Sequence, residues 1–409
     1  MPNVIGVLVK IAIASDFHLG YERFREDAYK QAEVALDEAS KAADAIIIPG
    51  DVFDMRVPKP DVLAEAINLF RNLSKKGWKA KVTEVQAASR AYTSVPIVAI
   101  PGTHERRAQG VENPVNLLGL AGLLIDVSDG YAVIEKDGEK VMVYGIGGVS
   151  EERFLETIKK LDPKPKANHF NIFMFHQSTY ELLPFSEDFV RFDQLPKGFD
   201  LYVDGHIHNK VEKKVHGKHF LIPGSTVLTQ LKDAEQEEKG FFVFDTATGA
   251  YTFHKIKSRR FVVVKVDMTG KDAEQLASDT RKAITAAVQS GADMPVVRVE
   301  LSGTMKKGTR GIDVDFQGII KEYHDRAIVE IAKPGMETIE SSTDVDSLRK
   351  GSLENMSVKD YGLGIFVEKL KQSKYGLSIG PSELFELLSE DASKEKVIKK
   401  ALEELFPSL

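Results

Sequence analysis

Short runs of apolar residues alternate with longer amphipathic stretches through the first half of the chain. The runs "VLVKIAIA", "DAIIIPG" and "VPIVAI" have the length and the β-branched content of strands. Residues 27–42 and 60–76 have a helical repeat, and Leu63, Ile67 and Phe70 fall on one stripe of the second stretch. Strands without polar alternation are typical of a parallel sheet that helices cover on both faces. The pattern therefore predicts an α/β layered sheet.

From about residue 131 onward the pattern changes to one of hairpins. The stretches "YAVIEKDGEKVMVYGI", "KVEKKVHGKHFLIPG" and "GFFVFDTATGAYTFHKI" each place a glycine turn signal between two β runs. Short turns of this kind join antiparallel strands. Residues 1–258 are therefore predicted to form one domain, in which parallel strands come first and antiparallel strands follow.

A second unit begins at "RRFVVVKVDMTG". This strand, an amphipathic helix over 271–289 and the strands "PVVRVEL" and "AIVEI" predict a small α+β domain at residues 259–334. Residues 335–354 are polar with few apolar anchors, which is typical of a linker. Helical stripes return in residues 355–409, so the sequence predicts a helical tail there.

Composition limits the classes of protein that the chain can belong to. Its 409 residues fit two or three domains, and 43% hydrophobic with 28% charged residues is ordinary for a globular protein. The net charge of −6 means that any nucleic-acid surface must be a local patch. The chain has no cysteine, which excludes disulfides and thiolate metal sites and suits a reducing compartment. No apolar run approaches the roughly 18 residues of a membrane span, so we expect a cytoplasmic protein without a membrane partner.

Five polar clusters lie at the exits of predicted strands. They are "SDFHLG", "PGDVFD", "PGTHERR", "MFHQS" and "DGHIH", and their candidate ligands are Asp16, His18, Asp51, His104, His176, His206 and His208. Sites in open α/β sheets gather beyond the carboxyl ends of the strands, so we expect these side chains to converge. Residues two apart in an extended chain point the same way, so the D-x-H and H-x-H pairs are each expected to face a shared cavity.

Carboxylates and imidazoles without thiolates suit Mn²⁺, Fe²⁺ or Zn²⁺ better than Mg²⁺ or Ca²⁺. Asp51 could bridge two such ions roughly 3.5–4 Å apart, and a pair of that kind polarises a phosphoryl group and generates a nucleophile from water. Each cluster alone could equally be a capped turn, a polar loop or a histidine satisfied at a strand end. Five clusters in this order indicate a binuclear phosphoesterase.

The ordered set D-x-H, G-D, G-x-H-E, H and G-H-x-H resembles that of the calcineurin-like metallophosphoesterases. The stretches "SDFHLGYERF", "GDVFDMRVP", "PGTHERR" and "DGHIHNKVE" are similar to those of the Mre11 (SbcD-like) nucleases of DNA double-strand-break repair. This resemblance implies a four-layer αββα nuclease core, a capping domain over DNA and a helical C-terminal segment that binds a Rad50-type ATPase. It also implies Mn²⁺-dependent 3′–5′ exonuclease and single-strand endonuclease activity, and a homodimer formed through helices such as 60–76 or 113–122.

Carried over residue by residue, the resemblance gives each candidate a role. The first metal would be held by Asp16, His18, Asp51 and His208, and the second by Asp51, His176, His206 and the residue at Thr103. His104 would be the catalytic histidine that stabilises developing charge or protonates the leaving oxygen. The chain departs from the family at Thr103, where Asn is usual, and at Asp54, where some members have a second histidine. We expect Thr103 to act through a water, which weakens the second site.

Other interpretations stay open at the level of sequence. Arg106 and Arg107 could contact a substrate phosphate or form a solvated turn. The enzyme could act on nucleotides or phosphoproteins instead of DNA. A chain with a degenerate second metal site could also be a weakly active scaffold subunit. In a prokaryote, a repair nuclease would be associated with the nucleoid.

Overall fold

The computed structural model describes residues 9–87, 93–106, 111–184, 186, 188–231, 238–289, 294–308 and 313–332. Its helices are α1 Arg25–Ala42, α2 Pro60–Ser74, α3 Pro114–Leu120, α4 Glu151–Leu161, α5 Ala273–Gln289 and α6 Phe316–Glu322. Its strands are β1 Lys10–Ile13, β2 Ala45–Pro49, β3 Lys81–Gln86, β4 Ile97–Ile100, β5 Ile125–Asp126, β6 Asp129–Lys136, β7 Glu139–Ile146, β8 Phe170–Phe175, β9 Leu201–Asp204, β10 Val211–Val215, β11 Lys218–Ile222, β12 Gly240–Asp245, β13 Tyr251–Lys255, β14 Phe261–Asp267, β15 Val296–Ser302 and β16 Ile328–Ala332. The predicted linker at 335–354 and the predicted helical segment at 355–409 lie outside the described residues.

Two mixed sheets form the larger part of the described chain. The first has the strand order β13-β12-β1-β2-β4-β5, and the second has the order β10-β11-β9-β8-β7-β6-β3. In the first sheet β1, β2 and β4 run parallel, as their short apolar runs predicted, while the hairpin β12–β13 adds antiparallel strands at the edge. In the second sheet β7, β8 and β9 run parallel.

Alternate residues of the strands face different layers. In β1, Ile11 and Ile13 pack between the two sheets, whereas Ala12 packs against α1, α2 and α3. In β8, Met174 joins the layer between the sheets and Phe175 packs with Phe154 of α4 on the far side. Helices, sheet, sheet and helix therefore form four layers, and this confirms the αββα sandwich. Each fully buried apolar side chain stabilises the fold by roughly 1.5–3 kcal/mol.

The predicted capping unit, residues 259–334, contains a third sheet in its described part. Its order is β14-β15-β16 and all three strands are parallel. Parallel neighbours need crossover connections, and α5 and α6 supply them, so this unit is of the α/β kind and not of the α+β kind predicted. It packs on the core through a small apolar cluster that includes Phe24 and Phe261. Arg259 adds an ion pair to Asp27, with Nη2 2.8 Å from Oδ1.

The arrangement of the strands fixes where a site can form. The five predicted clusters follow the carboxyl ends of β1, β2, β4, β8 and β9, which meet at one end of the sandwich. Loops at such ends carry the polar groups that the buried sheet cannot hold. No helix in the described part of the chain is long and apolar enough to cross a membrane.

Candidate metal centre

Four of the predicted ligands converge at this end of the sandwich. One ligand atom from each of Asp16, His18, Asp51 and His208 lies within 4.8 Å of the others. The two residues of the D-x-H pair do not lie in extended chain as predicted, because Asp16 and His18 have φ of 55° and 48°. The left-handed backbone, and not the two-residue repeat of a strand, turns both side chains into the site. The convergence itself is as expected from the sequence.

The contacts among these four groups suit a cation. His18 Nε2 is 3.1 Å from His208 Nε2, and His208 Nε2 is 3.7 Å from Asp16 Oδ1. Burial raises the pKa of Asp16 well above its usual value, and the nearby Asp51 carboxylate adds to the effect. Two buried carboxylates beside two facing imidazole nitrogens form a donor set that a divalent ion satisfies.

A second group of contacts involves Asp51 and His176. Asp51 Oδ2 and His176 Nε2 are 3.2 Å apart, and neither atom has a hydrogen-bond partner although both are buried. His176 Nδ1 donates to the Pro49 carbonyl oxygen at 2.7 Å, which leaves Nε2 facing Asp51. Orphaned buried donor atoms of this kind fit a metal ion bound between them. Asp51 therefore belongs to both groups, which is the position of a bridging ligand.

The charges of Asp51 and His176 influence each other's pKa. Burial acts to raise the pKa of Asp51, but the charges of His176 and His18 outweigh it, and that pKa lies well below its usual range. Burial lowers the pKa of His176, and the Asp51 carboxylate more than offsets this, raising it to about 10. Each group thus favours the charged state of the other.

His206 and Thr103 lie at the edge of the second group. The rings of His206 and His176 are 5.3 Å apart between centroids. Thr103 Oγ1 is 3.5 Å from His206 Nδ1, at the limit of a hydrogen bond. Burial, with the charge of His176, lowers the pKa of His206 to about 4, so this imidazole is neutral at pH 7 and available as a ligand. Thr103 is half-buried and contacts a ligand of the second group.

His104 stands beside the first group without joining it. Its ring lies 4.8 Å from the ring of His18, in an edge-on arrangement. Its backbone N–H donates to Asp51 Oδ1 at 2.9 Å, and its Nδ1 is 2.8 Å from the carbonyl oxygen of Asp54. The side chain is 41% exposed, so it is accessible to a substrate. This is a suitable place for a group that exchanges a proton with a substrate.

Glu105 supports the site, and the sequence reasoning gave it no role although "PGTHERR" contains it. Its buried carboxylate accepts hydrogen bonds from the backbone N–H groups of Asp51, Phe53 and Gly102, at 3.1, 2.7 and 2.6 Å. Burial, with the charge of Asp51, raises the pKa of Glu105 to about 8. The carboxylate ties the loop after β2 to the loop after β4. The available signal was a carboxylate directly after the candidate catalytic histidine His104.

Three other residues support the site. Asp204 Oδ1 accepts from the backbone N–H of Gln177 at 3.0 Å and so fixes the loop after His176. The Thr229 hydroxyl contacts Nδ1 of His208, and buried Lys239 donates to Ser225 Oγ at 2.9 Å. Groups that hold the outer nitrogen of a ligand histidine orient it toward the metal. No local sequence pattern marks Thr229 or Lys239.

The two arginines remain predictions. Arg106 is half-buried, and within the described ranges its backbone N–H donates to the Thr103 carbonyl oxygen at 3.4 Å. Arg107 lies outside the described residues.

Comparison with known proteins agrees with this geometry. Residues 9–210 match the family model of the calcineurin-like phosphoesterases. This stretch of the chain therefore resembles a calcineurin-like phosphoesterase. The chain is also similar to the Mre11 DNA double-strand break repair proteins of archaea and eukaryotes.

The relatives differ in how much of their length the chain matches. It is 28% identical over 366 residues to the DNA double-strand break repair protein Mre11 of Methanopyrus kandleri, covering 78% of this chain and 77% of that protein. It is 27% identical over 259 residues to the double-strand break repair protein MRE11 of Encephalitozoon cuniculi, covering 58% of this chain and 45% of that protein. A solved archaeal phosphodiesterase, 15% identical with a TM-score of 0.31, covers 60% of this chain and 99% of its own.

Proposed function

We propose that this chain is a metal-dependent DNA nuclease that hydrolyses phosphodiester bonds during double-strand-break repair. The convergence of Asp16, His18, Asp51 and His208, with the ring of His104 beside them, carries the proposal. The names of the Mre11 relatives support DNA as the substrate. The proposed activities are 3′–5′ exonuclease and single-strand endonuclease, which the motif resemblance implies.

The site residues would have different roles in hydrolysis. Asp16, His18, Asp51 and His208 would hold one metal ion, and Asp51, His176 and His206 a second, with Thr103 contributing through a water. When bound, the two ions would polarise the phosphoryl group and make water a stronger nucleophile. His104 is exposed beside them, with Nδ1 directed at the Asp54 carbonyl oxygen, which leaves Nε2 to donate a proton to the leaving oxygen.

We propose Mn²⁺ as the working metal, with Fe²⁺ and Zn²⁺ as alternatives. The donor set contains carboxylates and imidazoles without a thiolate, and several imidazoles disfavour Mg²⁺ and Ca²⁺. The two ions would not be held equally. The first group has four ionisable ligands, whereas the second has three and the neutral hydroxyl of Thr103.

The remaining regions are proposed to supply the partners. The unit at 259–334 would cover bound DNA, and residues 355–409 would bind a Rad50-type ATPase after the linker at 335–354. A homodimer through α2 and α3 is supported by the exposed apolar side chains Ile67, Leu117 and Leu120, which are 40%, 44% and 45% exposed. A nuclease with these partners would work in the cytoplasm, at the nucleoid of a prokaryote.

One experiment tests the nuclease assignment. The full chain is assayed with Mn²⁺ on a single-stranded circular DNA and a DNA hairpin, beside p-nitrophenyl phosphate esters. The variants are Asp51→Ala, which removes the shared ligand, and Asp193→Asn, which removes an exposed carboxylate from the short helix Phe192–Gln194. We expect cleavage of both DNAs by the parent and by Asp193→Asn, and none by Asp51→Ala.

Two results would contradict the proposal. Hydrolysis of the small esters without cleavage of either DNA would indicate a phosphoesterase for nucleotides or phosphoproteins. Absence of both activities, with DNA and ATPase binding retained, would indicate a scaffold subunit.

A further inference from the structure

A cavity lined by lysines lies at the end of the sandwich opposite to the metal centre. It has a volume of about 390 Å³ and is placed where β1 and β2 begin, whereas the metal ligands follow the carboxyl ends of the same strands. Its walls include five lysines and one tryptophan, which are Lys10, Lys41, Lys76, Lys79, Lys136 and Trp78. We call this space the lysine cavity. Its size is in the range of sites that hold small ligands.

Positive charge predominates around the lysine cavity. Lys41 and Lys76 share one carboxylate, because the Nζ of each is 2.6 Å from an oxygen of Asp37. Lys136 pairs with Asp44, which also lines the cavity, at 2.9 Å. Five ammonium groups against these two carboxylates leave an excess of three positive charges. An anion is therefore the kind of ligand that would bind here.

Lys10 and Lys79 are the lysines without an acidic partner. Both are exposed, and within the described residues no carboxylate pairs with either ammonium group. The competing explanation is that the lysines stabilise the carbonyl ends of α1 and α2, which also lie here. That accounts for Lys41 and Lys76, which close these two helices. It does not account for Lys10 in β1, for Lys79 before β3 or for Lys136 at the end of β6.

Trp78 adds an aromatic surface to the wall of the lysine cavity. Its indole Nε1 donates to the Leu73 carbonyl oxygen at 2.9 Å, which fixes the ring. The ring packs against the apolar core beneath α1 and α2 and is half-buried, so part of it stays exposed. Aromatic side chains beside positively charged groups are the means by which proteins bind nucleotides, since the bases stack on the rings and the phosphates contact the cations.

We propose that the lysine cavity binds a nucleotide with two or more phosphates, its phosphates on Lys10, Lys79 and the neighbouring ammonium groups and its base on Trp78. The terminal phosphate of a nucleoside diphosphate carries roughly −1.5 to −2 charge near pH 7. The inner phosphate adds to this, so the charge of the ligand is close to the excess in the cavity. A DNA strand would instead require a groove along which its backbone could continue. This site does not depend on the proposed nuclease activity, because it shares no residue with the metal centre.

Trp78 is the only tryptophan of the chain, so its fluorescence reports on this cavity alone. The full chain, freed of metal ions, is titrated with ADP, with pyrophosphate and with adenosine. We expect a saturable fluorescence change with ADP, and binding roughly tenfold weaker for pyrophosphate, which lacks a base to stack. Adenosine, which lacks the phosphates, should not bind at the same concentrations. The ADP affinity should fall as salt is added, since salt screens the lysines.

The test variant combines Lys10→Gln with Lys79→Gln, which removes both exposed ammonium groups and leaves the ion pairs of Asp37 and Asp44 in place. We expect it to fold with the Tm of the parent and to bind ADP at least about fivefold more weakly. Lys213→Gln is the matched control, because Lys213 is an exposed lysine of β10 at the edge of the other sheet, and it should bind ADP as the parent does.

Several outcomes would overturn the proposal. One is the absence of a saturable fluorescence change with ADP, and another is an equal ADP affinity of the folded double variant and the parent. Pyrophosphate bound as tightly as ADP would show that Trp78 stacks no base. A fluorescence change with a single-stranded oligonucleotide but not with ADP would indicate a surface for a DNA strand instead of a nucleotide site.

Discussion

Site residues of this protein adopt backbone conformations that side chains ordinarily avoid. Asp16, His18, Asp51 and His206 have φ of 55°, 48°, 49° and 69°, in the left-handed region. Each such residue costs roughly 1–3 kcal/mol and persists where its surroundings hold it in place. At Asp51 the surroundings are the Glu105 carboxylate and the backbone N–H of His104, which bind its main chain and side chain. The fold therefore loses some stability at these positions, and the left-handed backbone directs the ligand side chains into the site.

At the residue scale, Gly102 should tolerate no side chain. A Cβ there would lie 2.2 Å from Asp51 Oδ1 and 2.6 Å from the Asp51 backbone nitrogen. We expect Gly102→Ala to displace the shared carboxylate and to reduce Mn²⁺ affinity by at least about tenfold. Gly77→Ala is the matched control, because a Cβ at that position meets nothing within 4 Å. Calorimetric titration of both variants checks this, and equal Mn²⁺ binding by the two would contradict it.

At Thr103 we predict a substitution that increases metal affinity. Its hydroxyl oxygen is 3.5 Å from His206 Nδ1. A neutral hydroxyl donates less electron density to a metal ion than an amide oxygen does. Because metal–ligand distances tolerate only about ±0.2 Å, a shorter side chain cannot simply replace a longer ligand. We expect Thr103→Asn to tighten the second metal and to lower the Mn²⁺ concentration for half-maximal cleavage. Metal content after dialysis should rise from about one ion per chain toward two. A second-site affinity that is unchanged or weaker in Thr103→Asn means that neighbouring loops already suit threonine.

At the scale of elements, the sequence predicted those helices and strands whose apolar residues recur with a clear period. The bounds of α1, α2, β1 and β2 follow from apolar runs and stripes, because those elements bury a continuous face. Helix α4 was not predicted, since Phe154 is the one side chain that it buries completely among otherwise polar positions. The five clusters were predicted from their places after strands. The role of Glu105 was not, since it depends on how the loops after β2 and β4 meet in space.

Strand β5 ends in a carboxylate whose titration should be visible in stability. Burial raises the pKa of Asp126 to about 6, although its carboxylate accepts from the Ser128 backbone N–H at 3.0 Å. In the unfolded chain the pKa is about 3.9, so the folded state binds this proton more tightly. Its contribution to stability is full below pH 4 and is lost as pH rises through about 6. The loss amounts to at most about 3 kcal/mol.

We therefore expect Asp126→Asn to stabilise the protein at pH 8 and to have little effect at pH 4. Asparagine keeps an oxygen for Ser128 and removes the buried charge. The measurement is Tm at both pH values, with Asp193→Asn as the exposed control. The metal site titrates in all of these proteins alike, so its contribution cancels in the difference. An Asp126→Asn stabilisation of the same size at both pH values would show that the carboxylate is not the cause.

At the scale of the whole molecule, the metal centre and its support lie within a limited part of the chain. All predicted ligands fall between Asp16 and His208, and the described sheets end at Ala332. The predicted capping unit contacts the core within the same span, through Phe24 with Phe261 and Arg259 with Asp27. The residues that would perform hydrolysis are therefore separate in sequence from the predicted ATPase-binding segment at 355–409.

Truncation after residue 340 tests this separation. Nothing among the described contacts of the metal centre is removed, so we expect the shortened chain to bind Mn²⁺ with unchanged affinity and to cleave single-stranded DNA. Amphipathic helices after a polar linker suit docking on a partner, so binding to the ATPase should be lost. Size-exclusion chromatography with the ATPase and metal titration of both lengths provide the measurements. If the shortened chain aggregates or loses its metals, the C-terminal helices belong to the packed core. If it still binds the ATPase, the partner surface lies within residues 1–340, and the division into a catalytic part and a docking part is wrong.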